Sequence, residues 1–415
     1  MEKEKRDYLP TLLFGLLLAF LTYNYVLKDL RLGGGDYWSH AHTFLHLFTK
    51  DTWLQAWMTV PHCLWHLTTL LFNRLLLIPL DSAVAYATCI YTLFAFLVTY
   101  WMVQRVTEAA GRADSPARAG FIAFGMCMVQ PLYFYWLDGG ERYLGPFSMN
   151  PIHNPTFMCV KGFSLLCFCL VIDIWGRQKD EAYRGIFFRV ENGLRRYYIY
   201  LAVLLLLSAI AKPTFAEMFI PAVAFVMLGE WIAKIRRKDG SAKPYFRHCL
   251  TTLLCAFPTL LYILLQFLAY FIWGGSYEGE GGSVGFTKWL EVWHLFTENV
   301  GLSVALGMAF PLFMILINGI YFLKSDCGRL SLAAYGVGFL EAALLGEQGN
   351  KLEHGNFLWP LMSGMLLLFT ASMMRLLVLE RTEADTKGRR ILLSSAWVLF
   401  CLHVLYGLLL IWGVS

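Results

Sequence analysis

The chain has 415 residues, 58% of them hydrophobic and only 15% charged, with a mean hydropathy of +0.53. That balance excludes an ordinary soluble globule and a disordered chain, and it places the sequence among polytopic membrane proteins. The formal net charge of +5 is then an orientation signal before it is a hint of nucleic acid, because basic residues gather on cytoplasmic loops.

Mixed charges over residues 1–9 precede an apolar run at 11–27 that has no small-residue cleavage site. It reads as an uncleaved first helix. Further runs long enough for about 30 Å of hydrocarbon fall at 82–104, 118–137, 156–175, 197–211, 215–233, 249–273, 302–322, 330–346, 358–379 and 391–413. The expectation is an all-α polytopic protein, one transmembrane domain over residues 1–415 with about eleven spans. The run at 62–79 is broken by Asn73, Arg74 and Pro79 and follows Pro61. It reads as a helix partly sunk in the interface, within a first outer loop at 28–81. Further outer loops are expected at 138–155, 274–301 and 347–357.

With the N-terminus cytoplasmic, about 25 of the 34 Lys and Arg residues fall on inner segments. Counting 62–79 as a full span would invert everything after it and destroy that bias. The same orientation places His40, His42, His46, His62, His66, His153, His294 and His354 outside, with only His248 inside and His403 within the last span. Chemistry is therefore expected on the outer face. The ten cysteines lie mostly inside apolar runs and read as small packing residues.

Taken in chain order, the outer stretches begin with "GGGDYWSHAHTFLHLF". Gly33, Gly34 and Gly35 free the backbone from the first helix, so Asp36 can be presented at the bilayer surface, either as a base or simply as a helix cap. His42 and His46 have the i, i+4 spacing of a metal pair, but no Glu follows the first His, and interfacial anchoring is the plainer reading. "PHCLWH" repeats the spacing with His62 and His66, suited to a phosphate or an acceptor, or to packing under the loop.

In "NPIHNPTF" two Asn-Pro turns hold His153 and Asn154 on a stiff loop, and Arg142 is one of few outer cations. "AKPTF" places Lys212 at membrane level, where charge is expensive unless it works or snorkels to the surface. "GEQGNKLEHGNFLW" crowds Glu347, Lys351, His354 and Asn356 into a short connector, a set suited to a phosphate and to sugar hydroxyls.

"GGGDYWSH", "PHCLWH" and the run from Ser82 to Arg105 resemble the GT-C superfamily of polyprenyl-linked-sugar glycosyltransferases, over the first third of the chain best; "AKPTFAEMFIPA" is similar to a lysine-proline turn of bacterial members. The resemblance implies an inverting enzyme of the bacterial plasma membrane. It would move a sugar from a polyprenyl phosphate or diphosphate to a glycan or lipid acceptor on the outer face. Asp36 would be the general base. Lys212, Arg142, Lys351 and His354 would hold the lipid phosphate, and His40, His62, His66, His153, Asn154, Glu347 and Asn356 would shape the pocket. The donor is the lipid-linked sugar itself, and the assignment names no metal ligand and no nucleic acid. Many members have two adjacent acids in the first loop, whereas Asp36 here is followed by Tyr37. Three alternatives stand beside this reading: a polysaccharide polymerase of the O-antigen type, a membrane O-acyltransferase with His354 as base, and a transporter of the same lipid-linked sugars.

Overall fold

The computed structural model describes residues 7–44, 56–57, 60, 62–132, 134, 148–189, 193–238, 240–273, 283–383 and 386–412. Among the described residues each of the eleven apolar runs holds a helix over all or part of its length, and the chain is an all-α polytopic membrane protein. Among the described residues, seven helices are long and apolar enough to cross a membrane: Leu9–Leu32, Leu80–Ala109, Pro155–Lys179, Thr214–Arg237, Ala242–Phe267, Leu352–Thr382 and Lys387–Trp412. Their unburied faces are rows of large apolar side chains, such as Leu12, Leu13, Leu16 and Phe20 on the first and Leu253, Leu254, Phe257 and Leu264 on the fifth. Water does not select such faces; lipid does.

The other four runs fall short of the expected spans for separate reasons. Val300–Gly307 and Ala309–Lys324 meet at a 77° bend and count as an eighth crossing only if taken together. Pro116–Met128 has 13 residues, roughly 20 Å at about 1.5 Å per residue. Arg195–Ala211 has 17. Asp326–Leu344 is long enough but carries Asp326, Arg329 and Glu341. Hydropathy windows count apolar residues without seeing where a helix stops.

The stop at Met128 has a visible cause. Asn150 Nδ2 donates to the carbonyls of Met126 (3.0 Å) and Val129 (2.8 Å), which takes the place of further helical bonding. Gln130 N donates to His403 O at 3.1 Å, and His403 Nδ1 lies 2.7 Å from Gln130 O. Lys161, only 1% exposed, donates to Asn150 Oδ1. Unwound backbone at this depth persists because side chains satisfy it.

The connectors and their side-chain contacts sort onto two ends of the bundle. One carries the connectors near residues 110–116, 180–194, 238–241 and 383–386 and is stitched by ion pairs: Arg381 to Asp114 at 2.7 Å, Arg329 to Glu230 at 2.5 Å, and Arg375 and Arg389 to Glu383 at 3.0 and 2.8 Å. Beside them Asp173 accepts from the backbone N–H groups of Ile186, Phe187 and Phe188. The opposite end carries Asp36, the turn at Lys212 and a two-stranded antiparallel ribbon pairing Val284–Phe286 with Leu345–Glu347.

Between the first two long helices, helix Leu64–Leu70 continues as one wide turn to Leu75. Leu71, Leu75, Leu76 and Leu77 are exposed there.

Candidate functional site

The site begins where the first helix ends. Gly33 and Gly34 have φ of 71° and 79°, a region that side chains with a Cβ avoid, and Gly33 N closes the helix onto Asp29 O. Gly35 is required for a different reason: a Cβ there would lie 2.5 Å from both carboxylate oxygens of Asp29. The next residue, Asp36, opens a short turn of helix, Asp36–Trp38, whose N-cap is Gly35. Asp36 is therefore not the cap. Tyr37, 1% exposed, points inward and donates to Ile152 O at 2.8 Å, which ties this turn to the loop before the Pro155–Lys179 helix.

Asn154 organises the centre. Its Oδ1 caps the Pro155–Lys179 helix by accepting from Phe157 N (2.9 Å), and it also accepts from Thr156 Oγ1 (2.9 Å) and Lys212 Nζ (3.4 Å). This fixes the carboxamide, so Nδ2 faces the other way and donates to Asp36 Oδ2 at 2.8 Å. One side chain thus spans the gap between an acid and a base that are 176 residues apart in sequence. His153 Nε2 stands 4.0 Å from the same Asp36 oxygen, and the Asp36 side chain remains 40% exposed.

Lys212, 5% exposed, donates to Thr156 Oγ1 at 3.2 Å and lies 4.4 Å over the ring of Trp359. Among the described residues no carboxylate comes within 4 Å of it. Burial pulls its pKa down to about 8, with Asp36 and Glu217 opposing the shift. It is a buried cation held by neutral acceptors and an aromatic face, which leaves its charge available to an anion.

Beneath lie three histidines. His40 Nδ1 and His66 Nε2 are 3.0 Å apart, and the ring of His62 is centred 6.1 Å from that of His40. Trp65 packs edge-on against His40 and His66 and donates to Thr88 Oγ1. Burial first, and then the neighbouring His66, His62 and Lys212, hold His40 well below its ordinary pKa; burial brings His66 down to about 3. Both shifts favour the neutral rings, and at 3.0 Å a neutral pair has one ring donating to the other. Among the described residues, no set of three or more His, Cys, Asp or Glu side chains is arranged to hold a metal ion.

The structure thus brings together Asp36, His153, Asn154 and Lys212, with His40, His62 and His66 behind them. The last loop forms its own group: Asn356 Nδ2 donates to Glu347 Oε2 at 2.9 Å, and His354 Nδ1 lies 3.8 Å from that oxygen. Among the described residues, no hydrogen bond or ion pair joins this group to Asp36 or Lys212; Trp359, which follows the loop, is the link. Lys351 lies in the Gly349–His354 turn, its side chain outside the described residues. Arg142 and His46 also lie outside them.

Trp359, Thr156, Glu217 and Lys161 are additions that the sequence reading passed over. Lys161 carried a usable signal, a lone cation within the run at 156–175. Trp359 carried none, since its role comes from stacking on a residue 147 positions away.

No family model matches this chain, and neither does any curated protein or solved structure. Fold and site define its class by themselves: a polytopic helical membrane protein with an acid, a carboxamide and a buried lysine converging at one end of the bundle.

Proposed function

We propose that this protein is a membrane glycosyltransferase that moves a sugar from a polyprenyl phosphate or diphosphate to a glycan or lipid acceptor on the outer face of a bacterial plasma membrane. In this reading the N-terminus is cytoplasmic, and the bent pair and the three shorter apolar helices are embedded with the seven long ones.

The observation that carries the reading is the Asp36–Asn154–Lys212 line. A general base must be oriented and yet reachable; Asp36 is held at one oxygen by Asn154 and is still 40% exposed. A leaving phosphate needs a preorganised cation; Lys212 is buried, hydrogen-bonded and close by. Asp36 takes the proton of the acceptor hydroxyl as its oxygen attacks the anomeric carbon. The bond from that carbon to the phosphate oxygen breaks, the electron pair leaves with the lipid phosphate, and Lys212 stabilises the charge. A single displacement inverts the anomeric centre. His153 flanks Asp36, while Lys351, His354, Glu347 and Asn356 offer donors and acceptors to the phosphate and sugar from the last loop.

The test is transfer of labelled sugar from polyprenyl-phosphate donors to added acceptors, with the protein in nanodiscs. Asp36→Asn keeps the Asn154 contact available and is expected to lower turnover by about 10²–10⁴-fold while donor binding persists. Full activity in that variant would falsify the general-base assignment.

A second reading, transport of the same lipid-linked sugars, is favoured by one feature, the 77° break between Val300–Gly307 and Ala309–Lys324. Movement of intact donor across sealed vesicles without sugar transfer would select it.

A further inference from the structure

An apolar cavity of about 360 Å³ opens between the helices Arg195–Ala211, Thr214–Arg237 and Ala242–Phe267, its walls running from Phe219 to Trp231 along the second of them. Leu205, Val223, Met227, Trp231, Phe246 and Leu250 are among its walls. The hydroxyl in the lining, that of Thr252, already donates to His248 O at 3.1 Å. A volume in the range of about 300–1,000 Å³ suits a small ligand, and walls made almost wholly of apolar atoms suit a hydrocarbon chain.

The two helices that supply most of the walls end in lysines. On Thr214–Arg237 the lining residues Ile220, Val223, Met227 and Trp231 recur at helical spacing, and the next position on that stripe is Lys234; Lys238 follows as the C-cap, with φ 56°. On Ala242–Phe267 the stripe of Phe246 and Leu250 begins at Lys243. Lys234 Nζ lies 5.1 Å over the ring of Tyr245, so it reaches across to the second helix. The rings of Trp231 and Phe246 meet at 5.2 Å at the mouth of the cavity, where interfacial aromatics belong.

At the same end Lys179, Arg118, Arg329, Arg375, Arg381 and Arg389 are matched by carboxylates. Arg236, Arg237, Lys238, Lys243 and Arg247 are exposed, and among the described residues none has a carboxylate within 4 Å. A hydrocarbon slot capped by unmatched cations has the shape and charge of one ligand class in a bilayer.

We propose that this corner binds an anionic phospholipid from the surrounding leaflet, one acyl chain in the cavity and the headgroup phosphate on Lys234, Lys238 and Lys243. The inference does not depend on the chemistry at Asp36. Basic clusters beside membrane helices draw acidic lipids by this attraction.

The test is native mass spectrometry of the full-length protein released from nanodiscs of equal phosphatidylglycerol and phosphatidylcholine. Wild type is expected to retain phosphatidylglycerol preferentially. The K234Q/K238Q/K243Q variant is expected to lose affinity by roughly fivefold per lysine. Ala224→Trp, at an exposed position in the lining, fills the cavity and is expected to abolish retention with an unchanged helical melting profile. Equal retention of phosphatidylcholine by wild type, or wild-type retention by either variant, overturns the proposal. A phosphatidylglycerol with a photoreactive acyl chain gives a test free of substitutions. Label within 220–231 and 246–253 is expected, and label confined elsewhere contradicts it.

Discussion

Burial lowers the pKa of Lys212 from the ordinary lysine value to about 8. The cation is therefore present below that pH and is lost as pH rises through it. If Lys212 binds the donor phosphate, kcat/KM for transfer falls above roughly pH 8, and Lys212→Arg, which stays charged, removes that alkaline limb even if it lowers the maximum. An alkaline limb unchanged in the arginine variant would assign it elsewhere. Asn154 offers a second residue-level test. Asp is as good an N-cap as Asn, so Asn154→Asp leaves the Pro155–Lys179 helix capped and stability within about 1 kcal/mol. It also replaces a hydrogen-bond donor to Asp36 by a like charge. Turnover is expected to fall by at least about tenfold. Wild-type turnover would show that the Asn154–Asp36 contact does not act on the base.

At the scale of elements, the placement of Asp36 depends on segments meeting from far apart in the chain. The glycines at 33–35, the Asn-Pro turns and the lysine-proline turn are each legible in sequence, because backbone freedom, proline and isolated charge have local signatures. Asp36, His153, Asn154 and Lys212 could be named from these alone. That one carboxamide joins Asp36 to Lys212 could not be read, since the contact is set by how the ends of three helices pack. The early stop of the Pro116–Met128 helix was illegible for the same reason. Its apolar run continues, but Asn150, Gln130 and His403 replace the helical bonds. Lys161 anchors that replacement through Asn150 Oδ1. Lys161→Met leaves a buried acceptor without its donor and is expected to cost about 1–3 kcal/mol, read as a lower unfolding temperature in detergent. An unchanged melting temperature would show that the network does not depend on the lysine.

For the whole molecule, the two ends of the bundle differ. One is tied together by ion pairs such as Arg381–Asp114 and Arg329–Glu230; at the other, Asp36 and Lys212 meet through Asn154. Hydropathy gave the helical class and the positions of all eleven apolar runs, but not which of them cross a membrane unaided, because bends and short helices depend on tertiary contacts. In the proposed function Asp36 and Lys212 face one lipid-borne phosphate, and a structure of the protein in nanodiscs with polyprenyl phosphate bound tests this most directly. The expected result places the phosphate within about 4 Å of Lys212 Nζ, the distance of an ion pair, with the exposed face of Asp36 turned toward the same space. A phosphate held by the Glu347–Asn356 loop, with Lys212 still covered by Trp359 and Thr156, would contradict it.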